Sequence, residues 1–331
     1  MPHFSDNSTM PKALICKAAG DWREVLELRE VAFPEKPAAG FVRVRMLAAA
    51  VHPSDFGMIA GTYGKAKPFP CVMGREGVGE VVSIAGVASS VKPGDRVRIP
   101  EELGAWQEEV DVPAEELFPL PKDLAPEQLA LSFINPPTAL RVLEDFVTLR
   151  PGDLVITNAG KSAVSVAFLQ LAKASGLKAH AVIRNKTPED EAWLKGLGAE
   201  AVWDEGEEYF KSVKARLVLN QVGGESVLRL VKALASQGVC VTIGGAARET
   251  VRYPTRELIF NDVQLRGFWF DQWTRTHSPS EVLELFAKVW LLMSAGKLTQ
   301  EVSATFPLSD FTAALASAAA PGRRGKVLLT S

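Results

Sequence analysis

Leu154-Val-Ile-Thr-Asn-Ala-Gly-Lys-Ser-Ala-Val-Ser165 decides the fold. Leu154–Thr157 has the composition of a strand buried on both faces, and Asn158-Ala159-Gly160 turns the chain. From Ser162 to Ser175 the residues are small and apolar, as in a helix packed on a sheet. The unit then repeats with variations. Strands are expected at Ala179–Ile183, near Ala201–Trp203, at Leu217–Gln221 and at Val239–Ile243, with helices around Glu189–Leu197 and over Ser226–Ser236. Strands that alternate with helices pair in parallel through crossover connections. The expected class is α/β, with a doubly wound parallel sheet of Rossmann type over about 150 residues.

The chain reads differently on either side. The first third is rich in short apolar or β-branched segments, Ala13–Ala18, Val42–Val51, Gly79–Ala85 and Arg96–Pro100. In Val42-Arg-Val-Arg-Met46 the alternation predicts a half-buried strand with both arginines turned outward. Lys92-Pro-Gly-Asp95 and Arg150-Pro-Gly-Asp153 share one turn chemistry, proline fixing φ and glycine accepting a positive φ. Ser278-Pro-Ser-Glu281 is a capping box; Val282, Leu285, Phe286, Val289 and Leu292 fall on one helix face, and Gly296 stops the helix. Val263–Phe270 reads as a late strand with bulky aromatics and an exposed edge, and Lys326–Thr330 as a terminal strand returning to the first domain.

Composition narrows the function. The 331 residues leave room for two domains of about 150 residues, each able to bury a core. Lys+Arg total 37 against 39 Asp+Glu, a net charge of −2, which argues against nucleic acid as the main partner. No apolar run approaches the ~20 residues that span a bilayer. The polar start, MPHFSDNSTMPKALI, lacks the basic-then-apolar order of a secretory signal, so residues 1–9 are expected to be a disordered tail and the protein cytoplasmic. Cys16, Cys71 and Cys240 form no CxxC pair, and His3, His52, His180 and His277 are scattered, so no metal is expected.

Several residues point toward chemistry. The turn Asn158–Ser165 stands where a dinucleotide fold presents backbone N–H groups to a pyrophosphate, although it is not GxGxxG and also fits a plain strand-to-helix turn. The next strand ends in Arg184-Asn-Lys186 rather than the acidic residue of an NAD site. Two cations there suit a 2′-phosphate, hence NADPH; alone they also fit a solvated basic turn. Tyr63 lies between glycines in a polar loop, a poor place for a core aromatic. Its hydroxyl could donate to a substrate carbonyl or supply a proton, or its ring could simply shield the site. Phe268-Trp-Phe270 with Trp273 reads first as core or dimer interface and second as the lining of an acyl pocket.

Taken together, the segments His52-Pro-Ser-Asp55, Gly61-Thr-Tyr-Gly64, Gly74-Arg-Glu-Gly-Val-Gly-Glu80, Lys92-Pro-Gly-Asp-Arg-Val97, Asn135-Pro-Pro-Thr-Ala139 and Arg150-Pro-Gly-Asp153 resemble, in order, the medium-chain dehydrogenase/reductase superfamily. Asn220-Gln-Val-Gly-Gly224, Thr242-Ile-Gly-Gly-Ala246, Leu265-Arg-Gly-Phe-Trp269 and Gly325-Lys-Val-Leu328 extend the likeness over nearly everything after Met10. Within the superfamily the chain is most similar to the mitochondrial-type trans-2-enoyl thioester reductases, with quinone oxidoreductases next.

The resemblance implies a GroES-like β-rich catalytic domain over 1–135 and 302–331 and a Rossmann NADPH-binding domain over 136–301. It implies Tyr63 as the catalytic tyrosine and Asn135 near the nicotinamide ribose. Lys161, Ser162, Ala163 and Val164 would lie at the pyrophosphate, and Arg184, Asn185 and Lys186 at the adenosine phosphate. Ile243, Gly244, Gly245, Ala246, Phe268, Trp269, Phe270 and Lys326 would make further cofactor contacts. Ala163 and Ser165 stand where the family has glycines, His52 where the reductases have asparagine, and Arg75 where zinc alcohol dehydrogenases have a ligand histidine. One histidine beside Arg75 and Asn135 is no tetrahedral site, so a zinc-independent enzyme is expected. The expected reaction is NADPH-dependent reduction of an α,β-unsaturated thioester or carbonyl by a homodimer. A quinone-like acceptor and a non-catalytic NADPH-binding protein are the alternatives.

Overall fold

The computed structural model describes residues 10–86, 90–251 and 253–331, so the expected tail at residues 1–9 lies outside the described residues. In chain order the strands are β1 (Lys12–Cys16), β2 (Leu26–Glu30), β3 (Phe41–Ala50), β4 (Cys71–Val72), β5 (Gly77–Ile84), β6 (Arg96–Arg98) and β7 (Glu109–Pro113). They continue with β8 (Leu154–Thr157), β9 (Lys178–Ile183), β10 (Ala199–Asp204), β11 (Ala215–Asn220), β12 (Leu234–Thr242), β13 (Gln264–Gly267), β14 (Val302–Pro307) and β15 (Lys326–Thr330). The chain divides into two units, one running to Leu131 and resuming at Val302–Ser331, the other Ser132–Glu301. Ser132 and Phe133 go with the second unit for a packing reason. The Trp290 indole N–H donates to Ser132 Oγ at 2.9 Å, and Phe133 packs edge-on against Phe286 at 5.1 Å.

The second unit carries the α/β sheet read from Leu154–Ser165. Its order is β10-β9-β8-β11-β12-β13, with every neighbouring pair parallel. The order reverses between β8 and β11, and in such sheets ligands bind beyond the C-terminal ends of the strands at that reversal. The helices Ala163–Ala174, Pro188–Leu197 and Gly224–Lys232 supply crossovers. The helix expected over Ser226–Ser236 ends at Lys232, and Leu234 already pairs with Ala215. The expected strand Val263–Phe270 is shorter: β13 stops at Gly267, and Phe270 opens the helix Phe270–Thr276. Phe270 is buried and stacks near-parallel on Trp273 at 5.9 Å, so helical packing takes the aromatic away from the strand. The Ser278 capping box forms as read, on the helix Pro279–Ser294. Val282 and Leu292 are only half-buried, however, and Trp290 and Met293 complete the buried face.

In the first unit β1 pairs antiparallel with β2 and β4, while β3 is the spine of a larger sheet in the order β14-β15-β3-β5-β6, with β7 also paired to β3. The terminal β15 lies antiparallel to β3, Leu328 opposite Ala50. The outward arginines expected in β3 are half right. Arg45 is exposed, but Arg43 is buried, forked onto Asp111 at 2.7 and 2.9 Å with its guanidinium 4.6 Å from the Phe33 ring centroid. Alternation fails there because a charge can be buried once its lone-pair partners are all at hand. Gly94 and Gly152 adopt the positive φ their turns require, +84° and +91°. Among the described residues no helix is long and apolar enough to cross a membrane.

Candidate functional site

In the second unit the loop after β8 is tightly specified. Ala159 takes a left-handed φ of 48°, and a Cβ on Gly160 would lie 2.8 Å from Ile183 Cγ2 and 3.0 Å from Ala181 Cβ. Only glycine lets the turn sit against β9. Ser162 caps the following helix by accepting the Ser165 N–H at 3.1 Å. The N–H groups of Ala163 and Val164, in the first turn, have no carbonyl four residues back within the helix, which is the arrangement that binds an anion. Ser165 does not crowd that end. Its hydroxyl is buried, 2.8 Å from Thr157 Oγ1 and accepting from Gln221 Nε2 at 2.7 Å.

A buried amide network ties the three strand ends at the reversal together. Asn158 Nδ2 donates to Asn220 Oδ1 and Ser226 Oγ, Asn158 Oδ1 accepts the Gln221 N–H at 2.7 Å, and Asn220 Nδ2 donates to Thr242 Oγ1 at 3.1 Å. The sequence places Asn158 in the turn and Asn220 and Gln221 in a family motif, but not the side-chain network that joins them. Their signal was there: polar residues ending apolar strands, whose polar atoms must find partners when buried.

The remaining residues expected at a cofactor divide into available and committed groups. Lys161 pairs with Asp190 at 3.0 Å. Lys186 is tied down, its ammonium donating to Glu207 at 2.8 Å and to the Val202 carbonyl; the Glu207 hydrogen bond holds its pKa up. Arg184 is different: its side chain is 81% exposed and only 4.0 Å from Glu205 at its nearest. Asn185 between them has a left-handed φ of 53°. Ile243 and Ala246 N–H groups bond back to the Asn220 and Gln221 carbonyls, which seats Ile243–Ala246 beside the β11 end. Phe268 bonds to the Thr242 carbonyl through its N–H, and Arg275 lies 4.9 Å from the Trp269 ring centroid. Asn135 begins the helix Asn135–Asp145, is 5% exposed, and its Nδ2 has no hydrogen-bond partner among the described residues. A glycine-only turn, open first-turn N–H groups and an orphaned buried amide fit a dinucleotide.

The first unit holds a second polar cluster. His52 precedes the helix Pro53–Ile59, and its N–H donates to Asp55 Oδ2 at 2.7 Å. Lys326 Nζ lies 3.1 Å from His52 Nδ1, and Glu76 Oε2 lies 2.6 Å from Nε2. An ammonium can only donate, so Nδ1 accepts and Nε2 carries the proton toward Glu76. Burial, then the Lys326 and Arg75 charges, hold the imidazole pKa well down, so this is a hydrogen bond from a neutral ring. Burial also pushes Lys326 down to about 8 and Asp55 up to about 7. Lys326, expected as a cofactor contact, spends one of its three ammonium donors here on His52.

Tyr63 is half-buried, packed over Gly57, and its hydroxyl accepts from Arg75 Nη1 at 3.0 Å. Arg75 forks onto Glu101, and Lys65 reaches both Glu101 and Glu102. These residues do not fit zinc. Both nitrogens of His52 are engaged, Arg75 offers no lone pair, and no group of three or more His, Cys, Asp or Glu among the described residues could hold a metal.

Two family models match the chain, the alcohol dehydrogenase GroES-like domain over residues 38–122 and the zinc-binding dehydrogenase domain over 163–288. Mitochondrial enoyl-acyl-carrier-protein reductase of Bos taurus is 41% identical over 334 residues, covering 96% of this chain and 88% of its own. The Homo sapiens protein is 39% identical over 96% of this chain and 88% of its own. Among solved structures, the Etr1p complex with NADP and crotonyl-CoA aligns at a TM-score of 0.89 and 25% identity, over 97% of this chain and 99% of that one. A Bacillus thuringiensis protein assigned as an NADPH:quinone reductase aligns at 0.85 and 29%, over 98% and 100%. By identity sustained along nearly its whole length, the chain belongs to the mitochondrial-type enoyl-acyl-carrier-protein reductases of the medium-chain dehydrogenase/reductase superfamily.

Proposed function

We propose that the protein reduces the C=C bond of an α,β-unsaturated thioester or carbonyl, with NADPH as reductant. Bound NADPH supplies the hydride for the β-carbon. Charge then develops on the carbonyl oxygen, which needs a donor, and the α-carbon needs a proton. The observation that carries the reading is local to the first unit. Where a zinc dehydrogenase has metal ligands, this chain has a caged neutral His52 and a charge-paired Arg75, and beside them the Tyr63 hydroxyl. Polarising the carbonyl falls to a hydrogen-bond donor, with Tyr63 as that catalytic group.

In the second unit, Lys161, Ser162, Ala163 and Val164 are proposed to hold the pyrophosphate, and Arg184, Asn185 and Lys186 the 2′-phosphate. Asn135, Ile243 to Ala246, Phe268 to Phe270 and Lys326 are proposed to line the rest of the dinucleotide. NADPH oxidation with crotonyl-CoA, a longer enoyl-CoA and a quinone tests the function. Turnover with the enoyl thioesters exceeding that with the quinone is expected; preference for the quinone would favour the second reading, which the Bacillus likeness keeps in view. Silence with all acceptors despite NADPH binding would leave a non-catalytic NADPH-binding protein.

The protein is further read as a homodimer joined along β13. The residues read as cytoplasmic, whereas the relatives named above are mitochondrial proteins; fractionation of cells expressing the natural gene separates the two locations.

A further inference from the structure

Tyr63 lies under a cation that is itself anchored. Arg75 Nη1 donates to the phenol oxygen at 3.0 Å, the guanidinium lies 4.9 Å from the ring centroid, and Nε and Nη2 fork onto Glu101 at 3.0 and 3.4 Å. Arg75 is 3% exposed and Glu101 is also buried. Burial raises the Glu101 carboxyl, but the hydrogen bond and charge of Arg75, then Lys65, outweigh it and hold it below its usual range. The pair is therefore charged at neutral pH.

Two consequences follow from the chemistry of a guanidinium. It has five N–H donors and nothing to accept with, so in this contact the phenol oxygen must accept. The phenol hydrogen then points away from Arg75. A cation at hydrogen-bond distance also favours negative charge on that oxygen, the charge it takes on while giving up its hydrogen. A pair serving stability alone has little reason to be ionic, since apolar residues of similar volume often serve as well. Nor does it need to spend a third donor on a half-buried tyrosine.

We infer that Arg75, held by Glu101, is the positioning residue that sets Tyr63 as a hydrogen-bond donor toward the substrate carbonyl and strengthens that donation. This rests on the reading of Tyr63 as the group that serves the carbonyl.

A double-mutant cycle tests it, with crotonyl-CoA as substrate and NADPH fluorescence titration reporting the folded state. Arg75→Gln is expected to lower kcat by about 10-fold or more in the tyrosine background, with KM for crotonyl-CoA changing by less than about 3-fold. In the Tyr63→Phe background the same substitution is expected to cost less than about 2-fold, because the hydroxyl through which Arg75 acts is gone. Arg75→Lys keeps the charge without the fork and is expected to fall between wild type and Arg75→Gln. Equal losses in both backgrounds, or none in either, would overturn the inference. Should Arg75→Gln fail to bind NADPH, Arg75→Lys carries the cycle. A loss confined to the tyrosine background supports the inference, and no loss or equal losses refute it. Tyr63→Phe with wild-type kcat removes the underlying reading, whereas an impaired Tyr63→Phe with additive Arg75 losses removes only this one.

Discussion

At the residue scale the cofactor end and the carbonyl end depend on different kinds of group. Arg184 is the exposed cation at the end of β9, while Lys186 already satisfies Glu207 and the Val202 carbonyl. The protein should therefore prefer NADPH to NADH, and Arg184 should carry most of the difference. Arg184→Ala is expected to weaken NADPH by about 10-fold, the loss of one charge-assisted contact at an exposed site, and NADH by under about 2-fold. Fluorescence titration of both nucleotides measures it; equal wild-type dissociation constants at moderate salt would sink the claim. Tyr63→Phe removes a single hydroxyl and nearly preserves packing. It is expected to lower kcat by ~10²-fold or more, with NADPH affinity little changed because the residues proposed for the phosphates lie in the other unit. A mutant with wild-type turnover on its best enoyl substrate would reduce Tyr63 to a wall of the site. Tyrosine between glycines was legible as an unusual residue; that Arg75 donates to it was not, because twelve positions separate them and only the folded loop closes the gap.

At the element scale the turn between β8 and the Ala163–Ala174 helix is tightly constrained. A methyl on Gly160 meets Ile183 Cγ2, Ala181 Cβ and the Val182 carbonyl, none of them at the end of a long flexible side chain. Gly160→Ala is expected to cost about 1–3 kcal/mol by overpacking. It should also weaken NADPH, because the helix start must shift. Thermal unfolding with and without NADPH checks both effects, and an unchanged melting temperature with unchanged affinity contradicts them. The strand, turn and helix were readable because local composition suffices for each. The extent of β13 was not: the apolar run Val263–Phe270 is compatible with a strand throughout, yet β13 ends at Gly267 and Phe270 opens a helix in which it stacks on Trp273.

At the scale of the whole molecule, β13 is one of the two edge strands described in its sheet, and Ile259 and Phe260 just before it are 66% and 72% exposed. An unpaired edge with exposed apolar neighbours is usually covered, and a symmetry mate covers it with a closed two-fold contact. A dimeric mass by light scattering at micromolar concentration is expected; a monomer at that concentration counts against it. The His52 cage gives a second molecule-wide expectation. Chelation should leave turnover unchanged and purified protein should contain no stoichiometric zinc, since His52 is satisfied at both nitrogens by Glu76 and Lys326. Zinc whose removal abolishes turnover refutes this.

The sequence by itself determined the α/β class, the parallel alternation after Leu154, the turn glycines and the Ser278 cap, because each is set by neighbours within a few residues: composition, φ preference and helix periodicity. It also carried the family, through motifs spaced along nearly the whole chain. Tertiary structure alone decided which charges are free and which are spent. Arg43 is buried on Asp111, Lys186 is held by Glu207, and Lys326 is held against His52 from the far end of the chain. Arg184 stays 81% exposed, with Glu205 no closer than 4.0 Å. A charged side chain looks the same in a sequence whether it is solvated or paired, and the cost of burying it is met only by partners that long-range folding brings within hydrogen-bond distance.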